Sequence, residues 1–434
     1  MDITLERPPF TVGGIAYTSS NKWVVGTCMR VFVIMPELTF EGEVPKQREM
    51  TVGIEAEQNI EGFSTLTACP GSPLTGDTLV LLASDSSIRV FMAPGNQSAL
   101  EWDEVARHGF GHGDRHACSV AATSVAWQGS AVPVVAVGTM GGSVSLAAIQ
   151  ATEPGALEVA VKLEFASGQD LISSMTWAED TAEDSCVLVT CSADGTAVLW
   201  RVSRDLSSTT RLCVLGSADM RQFTVCQATP DTIVLCKLGT AFVVDVHNPT
   251  APAVVRLGVS DSVTSCAVDK QRGRIYIGSL DFSIFVLEKT GAGWVRSLSE
   301  ETQLRGGLRR TVEDSFTTPF VMARLQLRGL HMSPCGRRLM FVADDQTNWS
   351  IGSDGQGVTR IHLHQFDDWT DAAAELALKE AVGQDDVWAV VWDLFSGLSE
   401  ARVMSLVQAL LGVSGSHGQQ LYMLNMVGAK CKAG

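Results

Sequence analysis

Three histidines and a cysteine lie close together in the segment RHGFGHGDRHACS, residues 107–119. His108, His112 and His116 are four residues apart and Cys118 follows, so imidazole and thiolate groups could bind a zinc ion. On a helix the three histidines would share one face, but three glycines among five consecutive residues disfavour a helix. The segment therefore favours histidines that are structural or simply solvated, and a metal site is the alternative.

Seven arginines within 34 residues reverse the charge locally in a chain whose formal net charge is −16. They are Arg305, Arg309, Arg310, Arg324, Arg328, Arg337 and Arg338. Guanidinium groups bind carboxylates and phosphates through paired hydrogen bonds, so the cluster could recognise an acidic protein segment or nucleic acid. Ordinary surface charge on a long loop would explain the same residues, and the sequence leaves both interpretations open.

Three common catalytic motifs are absent from the sequence. It lacks the GxSxG, HExxH and GxxxxGK[ST] patterns of hydrolase, zinc-protease and nucleotide-binding sites. The Gly-rich run GSDGQG at 352–357 precedes a predicted strand, whereas a phosphate-binding loop must lead into a helix. We therefore expect a protein that is not an enzyme and that needs no cofactor.

The composition favours a soluble protein built from many short strands. Of the 434 residues, 45% are hydrophobic, 18% are charged and 40 are glycines, which suits strands connected by tight turns. The net charge of −16 argues against nucleic-acid binding by the surface as a whole. The N-terminal sequence shows no signal-peptide pattern and no apolar run is long enough for a membrane span, so we expect an intracellular chain without a membrane partner. The cysteines lie mostly in apolar runs and are expected to be reduced core residues.

The segment CSADGTAVLW at 191–200 is the best-preserved copy of a repeating unit. A continuous apolar run at 186–190 precedes its tight Asp-Gly turn, and a strand of alternating pattern follows the turn and ends at Trp200. With Trp200 as the marker, weaker copies are predicted at Val33, Val90, Leu146, Val244, Val286 and Leu363. The spacing of 42–77 residues matches four-stranded propeller blades with loop insertions, and seven copies suit a closed ring.

The run SADGTAVLW resembles the end of a WD repeat, with Trp200 in the tryptophan position and Arg201 in place of the usual aspartate. Together with the repeats, the resemblance predicts an all-β fold, a seven-bladed WD-type β-propeller. It also implies structural roles for Asp194, Gly195 and Trp200. His112 has a structural role by the same resemblance, because WD repeats carry a Gly-His pair before the first strand of a blade.

These patterns divide the chain into regions. The propeller is expected over residues 1–364, with an inter-blade insertion at about 289–325 that is Gly- and Arg-rich and unlike a strand. Ala-, Leu- and Glu-rich sequence predicts a short C-terminal α-helical appendage over 365–412, and the tail at 413–434 is expected to be poorly ordered. The appendage has an apolar stripe that comprises Val387, Val391, Leu394 and Leu398. We expect this stripe to pack on the ring or on itself, and binding to a partner is the alternative.

Two further stretches resemble the WD-repeat (delta-type) subunits of general transcription factor IIIC. Residues 5–38 look like the short first blade of those proteins, and RGLHMSPCGRRLMFV at 328–342 is similar to a late blade with a Gly-Leu-x-x-Ser-Pro-x-Gly pattern. The resemblance implies a nuclear, non-catalytic scaffold in RNA polymerase III transcription, which binds other protein subunits and could contact DNA locally. A WD-repeat adaptor of a chromatin, ubiquitin-ligase or trafficking complex is the alternative, and a propeller enzyme is the third hypothesis.

Overall fold

A computed structural model describes the central part of the chain, residues 63–301, apart from segments between strands of which the longest are 70–77, 93–101 and 217–223. Outside that part it describes further strand-forming segments, at 2–5, 15–17, 23–26, 31–39, 42–50, 325–333, 338–345 and 358–365. Residues 366–434, with the predicted helical appendage and tail, lie outside the described residues. Within the described residues, no helix has the length and apolar character that crossing a membrane requires.

The described strands form seven four-stranded sheets, which we number 1 to 7 along the chain. Sheet 1 consists of β2 (Ile15–Tyr17), β3 (Trp23–Gly26), β4 (Val31–Thr39) and β5 (Gly42–Met50). Sheet 2 consists of β6 (Phe63–Cys69), β7 (Thr78–Ala83), β8 (Ser87–Met92) and β9 (Asp103–Gly109). Sheet 3 consists of β10 (Ala117–Trp127), β11 (Ser130–Thr139), β12 (Ser143–Glu153) and β13 (Ala156–Ala166).

The next three sheets repeat the same antiparallel order. Sheet 4 consists of β14 (Ile172–Glu179), β15 (Ser185–Ser192), β16 (Thr196–Ser203) and β17 (Thr209–Gly216). Sheet 5 consists of β18 (Thr224–Ala228), β19 (Thr232–Lys237), β20 (Thr240–Asp245) and β21 (Asn248–Arg256). Sheet 6 consists of β22 (Val263–Asp269), β23 (Arg274–Ser279), β24 (Ile284–Thr290) and β25 (Gly293–Arg296).

Sheet 7 combines strands from the two ends of the described chain. It contains β26 (Leu325–Met332), β27 (Arg338–Asp345), β28 (Val358–Gln365) and β1 (Asp2–Leu5). β1 is antiparallel to β28, with Asp2 opposite His362 and Leu5 opposite Thr359. The N-terminal strand thus supplies the outer strand of the last sheet.

The sheets are arranged in a ring. The first strand of each sheet contacts the first strand of the next, in the order β2, β6, β10, β14, β18, β22 and β26. Contacts between β26 and β2 close the series. The first strands therefore surround a common axis and the fourth strands form the outer edges, which is the architecture of a β-propeller.

Apolar side chains fill the space between neighbouring sheets. Leu146 of sheet 3 and Leu188 of sheet 4 belong to one core cluster, while Val187 and Val189 belong to the next cluster, between sheets 4 and 5. β15 is therefore buried on both faces, as predicted from the continuous apolar run at 186–190. Burial of each such side chain stabilises the fold by about 1.5–3 kcal/mol.

The seven repeat markers all lie in the third strand of a sheet, but they do not occupy equivalent positions. Trp200 and Val244 pack toward the preceding sheet. Three markers pack toward the following sheet instead, namely Val90, Leu146 and Val286. The predicted register is therefore wrong by one residue in sheets 2, 3 and 6. Ala147 and Leu287, the next residues in sheets 3 and 6, pack toward the preceding sheet as Trp200 does. In sheet 2 the counterpart is Phe91, which follows Ser86 by five residues as Trp200 follows Gly195.

The turns between second and third strands require backbone conformations that glycine adopts readily. Gly142 in sheet 3 has a φ of 81° and Gly195 in sheet 4 has a φ of 93°. A Cβ on Gly142 would also lie 2.8 Å from the carbonyl carbon of Gly168, in the connection to sheet 4. The Gly142 carbonyl accepts hydrogen bonds from the N–H groups of Ser167 and Gly168 at 2.9 and 3.0 Å. The turn therefore contacts the connection between sheets 3 and 4 so closely that no side chain fits at position 142.

The segment 289–325, expected to be an insertion unlike a strand, differs from that expectation at its start. β25 lies within it, pairs with β24 and completes sheet 6, and Glu301 is buried. Residues 302–324, which connect β25 to β26, lie outside the described residues.

Candidate interaction surface

The Asp194-Gly195 turn is held by the aspartate side chain. Oδ1 of Asp194 accepts hydrogen bonds from the Thr196 N–H at 2.8 Å and from the Thr196 hydroxyl at 2.6 Å. The Gly195 N–H donates to the Ser192 carbonyl at 3.1 Å. Asp194 is buried, so its carboxylate stabilises the turn rather than presenting a charge to a partner.

Trp200 joins three elements of the ring through its indole. Nε1 donates hydrogen bonds to Ser167 Oγ at 2.9 Å and to Thr190 Oγ1 at 3.2 Å, and these two hydroxyls are 2.5 Å apart. The indole ring also packs against Phe165, with 4.8 Å between ring centroids. Because Ser167 follows β13 and Thr190 lies in β15, the tryptophan connects sheet 3 to the middle of sheet 4.

Lys237 at the end of β19 is not among the residues that the sequence singles out. Its Nζ donates a hydrogen bond of 2.7 Å to the Gly195 carbonyl, and only 9% of the residue is exposed. A buried ammonium needs such an acceptor because its desolvation is unfavourable. The bond ties the turn of sheet 4 to sheet 5. The sequence signal that could have indicated this buried lysine is its position at the end of the apolar strand TIVLCK.

The histidines of segment 107–119 have separate surroundings. His108 lies in β9 and stacks edge-on against Phe110, with 4.9 Å between ring centroids. His116 Nδ1 is hydrogen-bonded to the Ser86 hydroxyl. His112 lies outside the described residues. In the part of the chain that the structure describes, no three His, Cys, Asp or Glu side chains are grouped so that they could hold a metal ion.

Cys118 is engaged in packing between sheets 3 and 4. Its thiol donates to the carbonyl of Gly138 at 3.4 Å and to that of Ile172 at 3.2 Å. Burial raises the pKa of the thiol from 9.0 to about 11, since it disfavours the thiolate. A thiol in this state is a poor metal ligand and a poor nucleophile at neutral pH.

We expect Cys118 to react with iodoacetamide about 100-fold more slowly at pH 8 in the folded protein than in the urea-unfolded protein. A pKa of about 11 in place of 9.0 reduces the thiolate fraction by that factor, and reactivity should rise as the pH approaches 11. Mass spectrometry of alkylated peptides measures both rates. Equal rates in the folded and unfolded protein would show that Cys118 is accessible and ionised.

The arginine cluster is divided among different parts of the fold. Four of its members lie between β25 and β26, outside the described residues: Arg305, Arg309, Arg310 and Arg324. Arg328 belongs to β26, and Arg337 lies between β26 and β27, also outside the described residues. Successive connections of an antiparallel sheet lie at opposite strand ends. The connection between β26 and β27 is flanked by Met332 and Arg338. These two residues therefore lie at the end of the strands opposite to Leu325, where β26 begins.

Arg338 departs from the expectation that it serves a partner. It is the first residue of β27 and is 2% exposed. Its N–H donates to Ser333 Oγ at 3.0 Å, and its carbonyl accepts from the Ser333 N–H at 2.9 Å. The sequence groups Arg338 with the other arginines because charge is counted along the chain, whereas the structure buries this residue at the start of β27.

The ion pair of Arg296 and Glu301 joins the last residue of β25 to a buried carboxylate five residues further along the chain. The guanidinium donates to both carboxylate oxygens, at 2.6 Å from Nε and 2.7 Å from Nη2, and Glu301 is 2% exposed. Arg296 Nη1 also donates to the Leu257 carbonyl at 2.7 Å, and the guanidinium carbon lies 4.8 Å from the ring centroid of Phe285. Hydrogen bonding to Glu301 raises the pKa of Arg296. The five-residue separation matches no helix or strand period, so no sequence signal pointed to this pair.

Replacing Glu301 with alanine is expected to destabilise the protein by about 2–3 kcal/mol, since it removes one partner from a largely buried ion pair. The expected destabilisation is smaller than for a fully buried ion pair, because the Arg296 side chain is 29% exposed and can be rehydrated. The loss should be concentrated at the Val286 amide, which donates to Glu301 Oε1 at 3.3 Å. Urea unfolding and hydrogen exchange at Val286 measure the two effects. In a variant whose Arg296 is already replaced by methionine, Glu301→Ala should lower the free energy of unfolding much less. Equal losses with and without Arg296 would contradict a coupling between the two side chains.

Exposed apolar side chains concentrate on the outer edges of three consecutive sheets. Of the five large apolar residues exposed within the described residues, four lie there: Val214 in β17, Val254 in β21, Val295 in β25 and Leu298 just after β25. Cys213 Sγ is 3.7 Å from the Pro249 carbonyl oxygen, and Arg296 bonds to Leu257, so these edges are in direct contact. We call β17, β21, β25 and Leu298 the outer rim of sheets 4–6.

Comparison with known proteins supports the fold rather than an activity. The chain matches no protein-family model and no curated protein sequence. Solved structures do resemble it, and these are WD40 β-propeller proteins.

Three solved structures illustrate the likeness. A chain of the mitotic checkpoint complex superposes with a TM-score of 0.55 at 10% identity, over 84% of this chain and 95% of that one. Sqt1 from Chaetomium thermophilum, bound to the N-terminus of the ribosomal protein L10, gives 0.50 at 14% identity over 80% and 81%. Sqt1 from Saccharomyces cerevisiae gives 0.50 at 13% identity over 84% and 98%. The chain therefore has the fold of a WD40-type β-propeller.

Proposed function

We propose that the chain is a non-catalytic scaffold that binds other proteins through the surface of its propeller. The observation that carries the proposal is that three polar side chains of sheets 4 and 5, two of them at WD-type positions, form hydrogen bonds inside the ring. Asp194 holds a turn, Trp200 joins two sheets and Lys237 bonds to a neighbouring turn. We propose that the rim and the inter-sheet segments form the binding surface. Sqt1 was solved with the N-terminus of a ribosomal protein bound and the checkpoint chain within a complex, which supports protein partners for this fold.

For the architecture we propose seven blades and a C-terminal helical appendage. The support for seven blades is the cyclic series of contacts among the first strands of sheets 1 to 7. The support for the appendage is the helical spacing of Val387, Val391, Leu394 and Leu398, which lie outside the described residues.

For the assembly we propose a transcription factor IIIC-like complex in the nucleus, acting in RNA polymerase III transcription. Its support is the sequence resemblance of residues 5–38 and 328–342. Segment 302–324 would be its binding element for an acidic protein segment or for DNA, since it carries Arg305, Arg309, Arg310 and Arg324. An adaptor role in a chromatin, ubiquitin-ligase or trafficking complex is the second candidate, and the fold likeness supports it equally.

Purification of the tagged full chain under native conditions, followed by mass spectrometry, tests the proposal. We expect a defined set of proteins in near-stoichiometric amounts. The presence of transcription factor IIIC subunits would support the specific assembly, and a set without any polymerase III factor would contradict it. A chain that purifies without stoichiometric partners would contradict the scaffold role itself.

A variant with Arg305, Arg309 and Arg310 changed to glutamine separates the role of the insertion from that of the ring. We expect loss of one partner or of DNA binding while the remaining partners stay bound. Unchanged binding of every partner would leave these arginines as ordinary surface charge.

A further inference from the structure

The outer rim of sheets 4–6 contains no acidic side chain. Its strands read TTRLCVLG, NPTAPAVVR and GWVR, with exposed Arg211 and Arg256 and with Arg296 held by Glu301. The outer strands of the two preceding sheets differ, because β9 and β13 carry four exposed carboxylates: Asp103, Glu104, Glu158 and Glu164. In a chain of net charge −16, the rim of sheets 4–6 is thus a positive surface.

The exposed apolar residues of this rim lie at nearly the same height on the ring. Val214 is opposite Val198 and Val254 is opposite Phe242, and both partners are three residues after the turn glycine of their sheet. Leu298 follows Ser297, whose N–H donates to the Val286 carbonyl at 2.8 Å. Their exposed fractions are 47%, 58% and 63%. The rim therefore presents a row of apolar side chains with arginines beside it, and such a row marks a binding surface.

The chain itself contains a segment of complementary chemistry. Between residues 367 and 400 it has nine Asp and Glu residues and a single lysine, Lys379. Within the same stretch, Val387, Val391, Leu394 and Leu398 recur at helical spacing, together with Trp388 and Trp392. A segment of this kind needs an apolar surface to cover its stripe and basic groups to face its carboxylates.

The segment can reach the rim. It follows Gln365, the last residue of β28, and sheet 7 is the neighbour of sheet 6 in the ring. Sheets pack about 10 Å apart, so the rims of sheets 6, 5 and 4 lie within a few tens of ångströms. Residues 366–386 alone span about 30 Å as a helix and about twice that distance when extended. Segment 302–324 starts closer to the rim, but its arginines would face those of the rim.

We propose that segment 367–412 docks along the outer rim of sheets 4–6. Its apolar stripe covers Val214, Val254 and Leu298, and its carboxylates face Arg211 and Arg256. The proposal does not depend on the identity of the partners in the proposed function. It assigns to the rim an occupant from the same chain, so that external proteins bind elsewhere on the ring.

Hydrogen exchange of the full chain tests the proposal. In the double variant Arg211→Glu, Arg256→Glu, we expect exchange of the peptides covering 367–412 to become about tenfold faster, because two attractive pairs become repulsive. A matched control reverses two exposed basic residues on the preceding outer strands, Arg107→Glu with Lys162→Glu, and should leave that exchange unchanged. Circular dichroism checks that both variants retain the sheet content of the wild type.

A charge swap makes the assignment specific. Adding Asp385→Arg and Asp386→Arg to the rim double variant should restore slow exchange of segment 367–412. Exchange that is equally slow in the wild type and the rim variant would overturn the proposal, because the segment would then pack on itself or elsewhere. Fast exchange of the segment already in the wild type would overturn it as well, and would leave the rim for a partner protein.

Discussion

Replacing Trp200 with alanine is expected to lower the free energy of unfolding by about 3–5 kcal/mol, the range for removal of a large aromatic side chain from a packed site. The change removes the contact with Phe165 and the hydrogen bonds to Ser167 and Thr190. Because those two hydroxyls are already bonded to each other, most of the loss should come from packing. Urea unfolding followed by circular dichroism measures the change.

The variant Trp200→Phe separates packing from hydrogen bonding. It keeps an aromatic ring beside Phe165 and removes only the N–H donor, so we expect a loss of about 1 kcal/mol. If the two variants lose the same free energy, the hydrogen bonds rather than the packing carry the stability. If alanine costs less than about 1 kcal/mol, the structural role of Trp200 is wrong.

Replacing Gly142 with alanine should destabilise the protein by about 3 kcal/mol or more. A φ of 81° costs a residue with a Cβ about 1–2 kcal/mol, and overlap with the Gly168 carbonyl group adds a cost of similar size. Relief of the overlap would have to move Ser167 and Gly168, whose N–H groups bond to the Gly142 carbonyl. Thermal unfolding by calorimetry measures the loss.

Gly291→Ala is the matched control for this change. Gly291 lies between β24 and β25, and an added Cβ would meet no atom within 4 Å. We expect its stability to stay within about 0.5 kcal/mol of the wild type. A similar loss in both variants would mean that neither the backbone conformation nor the contact with Gly168 matters at position 142.

The repeating unit could be predicted from the sequence, but its register could not. In the third strands, neighbouring residues such as Val90 and Phe91 are both apolar and both buried. A strand buried on both faces has no alternation of polar and apolar residues, so a slip by one residue leaves the pattern intact. The register is fixed by the turn residue that has a positive φ. In sheets 3 and 4 this residue is a glycine, but in sheet 2 it is Ser86, with a φ of 63°. A serine carries no signal that would reveal this.

The fold was therefore more predictable than the candidate surface. The Asp194-Gly195 turn is local in sequence, and its hydrogen bonds follow from residue types. The bonds from Lys237 to Gly195 and from Arg296 to Leu257 join residues 42 and 39 positions apart, and only the packing of sheets brings them together. For the same reason, the sequence does not indicate that Arg338, one of the clustered arginines, is buried at the start of β27.

Because β1 pairs with β28, sheet 7 cannot be completed until nearly all of the described chain has been synthesised. A ribosome makes β1 first and β28 last among the described strands, so β1 waits for its partner for roughly 20–70 s at typical elongation rates. Meanwhile sheets 1 to 6, which are made of neighbouring strands, can form an open arc with two uncovered ends. Two nascent chains on one messenger could exchange their β1 strands during this interval, which would yield a domain-swapped dimer.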